Sequence, residues 1–364
     1  MTSVRVLIAG GGIAGLATKV ALAAHGVDAD LAERDSTVRD GGAGLYLPAN
    51  AVRALGDLGL GDELDRRSVP VRRQEIRDRA GALLTGFGLG EIWGGAGEGR
   101  AIRRSDLHGL LSDAAGTEGV RLGDAVTEAR TDGTVTFAGG SRERYDVVVG
   151  ADGIDSAVRS GAFPRTRKKF LGQVCWRFLA PSEDAGETWV ARLGGRGRTF
   201  LTVPVGGGEV YCFAAINSAG PAAPTGDWRE RFADFAPPVP RLLEHAGKAF
   251  FAPLHEIEGA DWVDGRIVLI GDAAHACSPS MAQGGAMALE DALVLADELA
   301  AGGPVPSALE RYQRRRATRV AFVLEQNHRR DKARNLPGFV RAAVFRRAGV
   351  KIVRANHAGL LARP

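Results

Sequence analysis

Cysteine is scarce in this chain: its 364 residues include 3, Cys175, Cys212 and Cys277. Scattered thiols of that number exclude a disulfide framework and a zinc cluster, and fit a reducing compartment. No stretch approaches the roughly twenty uninterrupted apolar residues that a membrane-spanning helix needs. Nothing before the first apolar run, VRVLIAG from Val4, reads as a secretory leader, so the expected location is cytoplasmic. Internal repeats and low-complexity linkers are missing, and so is any nucleic-acid-binding module. A formal net charge of +4 is small, and arginine's excess over lysine is explained as well by codon usage as by function. The length allows one large domain or two intimately joined ones, with 45% hydrophobic and 25% charged residues as in an ordinary globular protein.

The charge that is present gathers late. From Arg311 onward the chain carries RYQRRR, HRRDKAR and FRRAGVKIVR with very few acids. Either an acidic partner such as nucleic acid or anionic lipid is bound there, or the terminal helices turn a solvated face outward. The solvated face is the expectation, because no nucleic-acid module accompanies it.

The opening stretch is the most informative. VRVLIAG reads as a short strand buried on both faces. It breaks into Gly10-Gly11-Gly12-Ile13-Ala14-Gly15 and continues as an apolar-periodic helix that stops at Gly26. A second apolar stretch then delivers Glu33 about twenty residues beyond the glycines. Gly10 permits the tight turn, Gly12 lets a pyrophosphate approach the backbone, and Gly15 lets helix and strand pack closely. The helix start presents free N–H groups and its positive dipole end to the phosphates, and Glu33 is placed to accept ribose hydroxyls. A dinucleotide site is expected.

Gly41, Gly42 and Gly44, with Ala43 among them, form an approachable loop, and Asn50 is expected to cap the helix that follows Pro48. Residues 72–90 read as two strands around Ala80-Gly81, and Gly94 to Gly99 as a mobile loop. Ser105 is expected to cap the next helix, with Arg104 just before it; a cation there gains nothing from the dipole, which favours a bound anion for Arg104. Val126 falls on a strand placed to touch the adenine. Residues 165–260 change character to short strands between Gly and Pro turns, an antiparallel sheet. Alternation puts Tyr211, Phe213 and Ala215 on one face and Val210, Cys212 and Ala214 on the other, without saying which face meets a ligand. Trp176, Arg198, Tyr211 and Phe213 are the candidate substrate residues, with Arg177 and Thr199 nearly as eligible.

Two further motifs complete the set: Gly150-Ala151-Asp152-Gly153-Ile154-Asp155-Ser156-Ala157-Val158-Arg159, and Gly271-Asp272-Ala273-Ala274-His275 followed by Pro279 and Gly284-Gly285. With Gly10–Gly15 and Glu33 they resemble the single-component FAD-dependent aromatic hydroxylases, the group A flavoprotein monooxygenases of the p-hydroxybenzoate hydroxylase fold. The likeness runs from residue 4 to about residue 320 and is strongest to the short urate- or salicylate-hydroxylase-like members. It implies an α/β fold in which a Rossmann-like FAD-binding domain (1–72, 100–164, 261–303) interleaves with an antiparallel-sheet substrate domain (73–99, 165–260), followed by a basic helical segment (304–364).

The resemblance also implies roles. Glu33 binds the adenosine ribose with Arg34 beside the adenine, and Arg104 of an R-x-x-L pattern reaches the pyrophosphate or ribityl chain. Asp152-Gly153 serves FAD and NAD(P)H, and Asp272 serves the ribityl hydroxyls. Pro279, Ala282, Gly284, Gly285 and Ala286 lie along the isoalloxazine ring. Free N–H groups at a helix start there would stabilise the negative charge of reduced flavin, which is also what the residues themselves suggest. His275 lies near the flavin rather than acting as a base, and no protein catalytic residue is implied. NADPH or NADH reduces the flavin, O2 adds at C4a, and the hydroperoxide transfers one oxygen to a small aromatic or polycyclic substrate by hydroxylation or epoxidation. Two alternatives stay open: an FAD-dependent reductase or dehydrogenase on this fold, and a non-enzymatic flavin-binding protein. Ala282 departs from the pattern, which often has Gly there. The W-x-W-x-I-P signature of flavin halogenases and the extra C-terminal domain of some relatives are absent from the sequence.

Overall fold

The computed structural model describes residues 4–37, 43–183, 186–195, 197–259 and 261–364. Gly41 and Gly42 lie outside the described residues. The architecture is α/β with two main sheets. The first has six strands, in spatial order Val263–Asp264, Ile267–Leu269, Val147–Gly150, Val6–Ala9, Ala29–Glu33 and Val120–Leu122. Every neighbouring pair is parallel except the first, a hairpin. Val6–Ala9 and Val147–Gly150 are buried along their whole length because helices cover both sheet faces, which is why they read as continuous apolar runs.

The second sheet has seven strands and carries most of residues 165–260. Its order is Phe250–Glu258, Arg167–Pro181, Glu209–Asn217, Thr199–Gly206, Thr188–Leu193, Arg73–Asp78 and Leu83–Gly88. Its pairs are antiparallel, with one exception: Thr188–Leu193 runs parallel to Arg73–Asp78. The early hairpin joins the edge of a sheet whose other strands come a hundred residues later, so no tight turn dictates that pair's direction. Gly94–Ala96 form a 3-10 turn after the short helix Leu89–Trp93, and Gly99 already starts a strand, so no long loop separates them. A small sheet of Gly44–Leu47, Gly99–Arg103 and Val69–Val71 lies at the junction between the two large ones.

Three expectations about helices are corrected. Asn50 lies inside helix Ala49–Asp57, not at its cap; its side chain is buried and bonded to Gln283 and Glu290. Ser105 does not cap helix Arg104–Ala115, whose first residue is Arg104 and whose N-cap is Arg103. The basic C-terminal segment is not simply a solvated face. Helix Val305–Arg334 buries Leu309, Tyr312, Arg316, Val320 and Val323 at spacings of three or four, so one arginine stands in the apolar stripe. Arg316 is completely buried between Glu290 and Asp291, and Arg319 joins it on Glu290. Helix Gly338–His357 then folds back across the second sheet's far edge, near Leu83–Gly88. Among the described residues no helix is long and apolar enough to cross a membrane, and no group of side chains could hold a metal ion.

Candidate functional site

The site begins at the glycine turn between strand Val6–Ala9 and helix Ile13–Ala24. Gly10 has φ +109°, and a Cβ on it would lie 2.5 Å from the Ala151 carbonyl oxygen. A Cβ on Gly15 would lie 1.8 Å from the Gly10 carbonyl oxygen. Both glycines are therefore demanded by the protein's own packing. Gly12 differs: its φ is −79°, and a Cβ there would meet no protein atom within 4 Å. Packing does not demand glycine there; it is the N-cap of the helix, a position glycine suits, and it leaves open space beside the turn.

Glu33 ends its strand beside this turn. One carboxylate oxygen accepts the Gly11 N–H at 2.6 Å and the other accepts the Asp35 N–H at 3.0 Å. Arg34 is exposed next to Asp35, Val126 is buried near the end of that strand, and the Ala43 carbonyl accepts the Arg104 N–H. His108 was not legible as a site residue, yet its Nε2–H donates to the Gly11 carbonyl at 2.8 Å and ties the Arg104 helix to the turn.

Asp152 follows the strand that pairs with Val6–Ala9. Its Oδ2 accepts the Ala157 and Val158 N–H groups at 2.7 and 3.2 Å, while its Oδ1 is buried without a partner. Burial raises its pKa. Gly153 beside it has φ +77°. Asp272 begins the one-turn helix Asp272–His275 and faces open space in a large cavity. Arg104 has no ion-pair partner among the described residues; burial, then the Arg177 charge, lowers its pKa, and Asp272 partly offsets both.

The turn Pro279–Met281 leads through Ala282 to helix Gly284–Ala300. Ala282 has φ 53°, the one positive φ outside glycine among the described residues, so the departure noted in the sequence carries real backbone strain. Helix Val305–Arg334 holds this turn: Ser280 Oγ donates to Asp331, and Asn327 Oδ1 accepts the Met281 N–H. No side chain caps Gly284–Ala300, so its first N–H groups are free, and a Cβ on Gly285 would meet no protein atom within 4 Å. Ala286 is buried in the first turn. His275 is not at this surface. Its Nε2–H donates to Asp291 Oδ2 at 2.7 Å, its ring meets the edge of Trp262, and it is buried, so it fixes the loop instead of meeting a ligand.

A cavity of about 1210 Å³ is lined by Ile13, Gly44, Asp272, Pro279, Ala282 and Gly284 to Ala286, while Gly12, Glu33, Arg104 and Asp152 do not line it. The seven-stranded sheet lines one wall with Tyr211, Phe213, Arg177, Leu201 and Val203; Pro279 to Ala286 lie at another, and the two C-terminal helices close it. Ligand pockets usually fall between about 300 and 1,000 Å³, so this one has room for a ring system and a second molecule. The register puts Tyr211, Phe213 and Arg177 on one face, since Arg177 pairs with Phe213. Trp176 is on the other face, stacked on Trp228 at 4.7 Å in a separate core, and does not reach the cavity. Arg198 is also diverted: it pairs with Asp234 at 2.7 Å and covers the Phe235 ring. Arg330, unmarked in the sequence, lines the cavity with only the Met281 thioether as a hydrogen-bond partner, and burial lowers its pKa.

Asp272 and the free N–H groups at Gly284 are uncommitted at the cavity, while Asp152 Oδ1, the Arg104 guanidinium and the open space at Gly12 are uncommitted outside its lining. That set fits a phosphate-bearing dinucleotide with a flat, polar-edged ring at its far end. Comparison with known proteins agrees. The family described as "FAD binding domain" matches residues 3–180 and 247–327. The chain is 34% identical over 342 residues to 2-heptyl-3-hydroxy-4(1H)-quinolone synthase of Pseudomonas aeruginosa, covering 88% of this chain and 87% of that one. It is 32% identical over 345 residues to the FAD-dependent urate hydroxylase of Klebsiella pneumoniae, covering 90% of each. The crystal structure of Klebsiella pneumoniae HpxO complexed with FAD and uric acid superposes with a TM-score of 0.89 at 28% identity, covering 99% of this chain and 97% of that one.

Proposed function

Since the chain belongs to the FAD-binding-domain family of FAD-dependent aromatic monooxygenases, which consume NAD(P)H and O2, we propose that its substrate is an aromatic ring bearing an ionisable oxygen on a larger apolar body. When bound, FAD supplies the electron transfer and the activation of O2. The reductase and binding-protein readings drop out with that membership.

One observation carries the substrate reading. Nearly every charged group around the cavity is committed: Lys168 to Asp155, Arg329 to Glu325, Arg334 to Asp331, and Arg341 to backbone carbonyls. Three are not. Asp272 is reserved for the cofactor, which leaves two cations, Arg177 and Arg330, facing apolar walls. The Arg177 Nε is buried without a partner, and its guanidinium lies over the Phe250 ring at 4.9 Å. Both side chains are half-buried, and a partly desolvated cation without a counter-ion is one that a substrate oxyanion would pair with.

The other roles follow from the residues. Gly12 would admit the pyrophosphate, and Glu33, Arg104, Asp152 and Asp272 would hold the ADP and ribityl portions. The N–H groups at Gly284 to Ala286 would stabilise negative charge on the reduced ring. Tyr211 and Phe213 would hold the substrate ring, and the C-terminal helices would keep water out. A panel of matched aromatic acids, phenols and neutral analogues, tested for NAD(P)H oxidation coupled to oxygenated product, checks this reading. Ionisable substrates should be preferred, and Arg177→Met should raise KM at least tenfold for them alone. Equal turnover of neutral analogues, unchanged by the substitution, would overturn it.

A further inference from the structure

The sequence contains no acidic residue after Asp331. Among the cations beyond it, Arg334 pairs with Asp331, Arg363 pairs with Asp57, and Arg341 is buried on backbone carbonyls. Lys332, Arg346, Arg347, Lys351 and Arg354 are exposed, and none has an ion pair or side-chain hydrogen bond among the described residues. Four of these five stand on helix Gly338–His357. Phe339, Arg347, Lys351 and Arg354 mark its solvent side over about 22 Å, at a rise of about 1.5 Å per residue.

Large apolar side chains are exposed in the same place. Phe339 is 80% exposed, Leu336 41% and Val344 39%. Leu336 and Val344 also line the catalytic cavity, so the patch reaches the cavity's edge. An apolar cluster that borders a binding cavity and is set among unpaired cations marks an interaction surface.

Three partners could be considered, and chemistry separates them. A nucleic acid would neutralise the cations but leave Phe339, Leu336 and Val344 in water. A second copy meeting the same face across a twofold axis would set cation against cation. An anionic bilayer accommodates both features, taking the cations at its headgroups and the apolar side chains at the acyl boundary. We infer that helix Gly338–His357 and the turn before it form an interfacial docking face for anionic lipid, with the cavity opening at that face. An apolar substrate would then pass from bilayer to active site without crossing bulk water. The inference concerns binding and does not depend on which substrate is turned over.

Co-sedimentation of the FAD-loaded protein with vesicles tests it, comparing 3:1 phosphatidylcholine:phosphatidylglycerol with pure phosphatidylcholine. Binding should be confined to the anionic vesicles and weaken as salt is raised. Removing two cations in Arg346→Gln/Arg347→Gln should weaken it about 25-fold, at about 1 kcal/mol per cation near an anionic surface. Phe339→Asp should weaken it further, with flavin content unchanged in both variants as evidence of folding. Absence of vesicle binding would overturn the inference. So would tighter binding to duplex DNA than to anionic vesicles at equal salt, or a dimer abolished by Phe339→Asp in a protein that ignores vesicles. Vesicle binding indifferent to Phe339→Asp would also overturn it, since adsorption by charge alone is not docking.

Discussion

Arg316 and Asp291 form an ion pair with no solvent contact, Nε to Oδ1 at 2.7 Å, on two helices packed side by side. The pair is fully bonded: Asp291 Oδ2 accepts the Gly271 N–H and meets His275, while Arg316 also donates to Glu290. Burial alone would raise the Asp291 pKa, but His275 and Arg316 outweigh it and hold the carboxyl at about 2. The same acid thus anchors the C-terminal helix and sets the backbone from which Asp272 projects.

Breaking this pair on one side should be expensive. Arg316→Leu leaves Asp291 and part of Glu290 buried without their cation, a loss of about 3–5 kcal/mol for a buried pair. Chemical denaturation of the FAD-loaded protein measures it. A loss below about 1 kcal/mol would mean that water or a rearranged side chain replaces the guanidinium.

Gly12→Val separates a cofactor requirement from a folding one. No protein atom lies within 4 Å of the added Cβ and φ is ordinary, so the apoprotein's melting temperature should hardly change. The purified protein should nevertheless lose its flavin absorbance, because the branched side chain fills the space that the backbone leaves for the pyrophosphate. Gly15→Ala, whose Cβ would lie 1.8 Å from the Gly10 carbonyl oxygen, should instead destabilise the apoprotein itself.

Gly44 and Tyr211 are similarly matched. A Cβ on Gly44 would lie 2.6 Å from the Tyr211 Cβ, so Gly44→Ala must push that ring from the cavity wall. The expected result is a KM raised severalfold with flavin content retained. Tyr211→Gly, which removes the Cβ that the new methyl would strike, should mask the effect, so the double variant behaves like Tyr211→Gly alone; additive losses would show that the two residues do not share one space.

Stability should fall in acid, in two steps. Burial lowers the His357 pKa from 6.5 to about 4, against a smaller opposite effect from the hydrogen bond that its Nδ1–H donates to Val353. The unfolded chain therefore takes up a proton that the fold refuses. Stability is full above about pH 6.5, declines as pH falls to about 4, and loses roughly 2–3 kcal/mol over that window. Asp291, held at about 2 against an ordinary 3.8, adds a second loss between those values. Thermal melts across this range should show His357→Gln losing the upper step and keeping the lower one.

The glycine turn and its flanking elements were largely legible because their signals are local. A buried strand, a turn with a glycine at φ +109°, a helix and an acid at the next strand's end all lie within thirty residues, and each follows from nearest-neighbour sterics. The helix caps were misread for a related reason: Asn50 and Ser105 are good capping residues, but Asn50 has better partners in Gln283 and Glu290, more than two hundred positions away. Arg198 and Arg177 looked equivalent as letters. They diverge because Asp234 pairs with one, while the other has no ion pair among the described residues.

From the sequence alone came the α/β class, the family and the kind of cofactor, since glycine sterics and strand periodicity act over a few residues. Alternation along Glu209–Asn217 showed two faces and carried no sign; packing of Trp176 on Trp228 behind the sheet left Tyr211 and Phe213 to face the cavity. Arginine has the same letter whether it is solvated, paired in the core or left without a counter-ion. Arg346, Arg316 and Arg177 take those three fates because long-range folding decides where each acid ends up, and electrostatics depends on that distance and on burial.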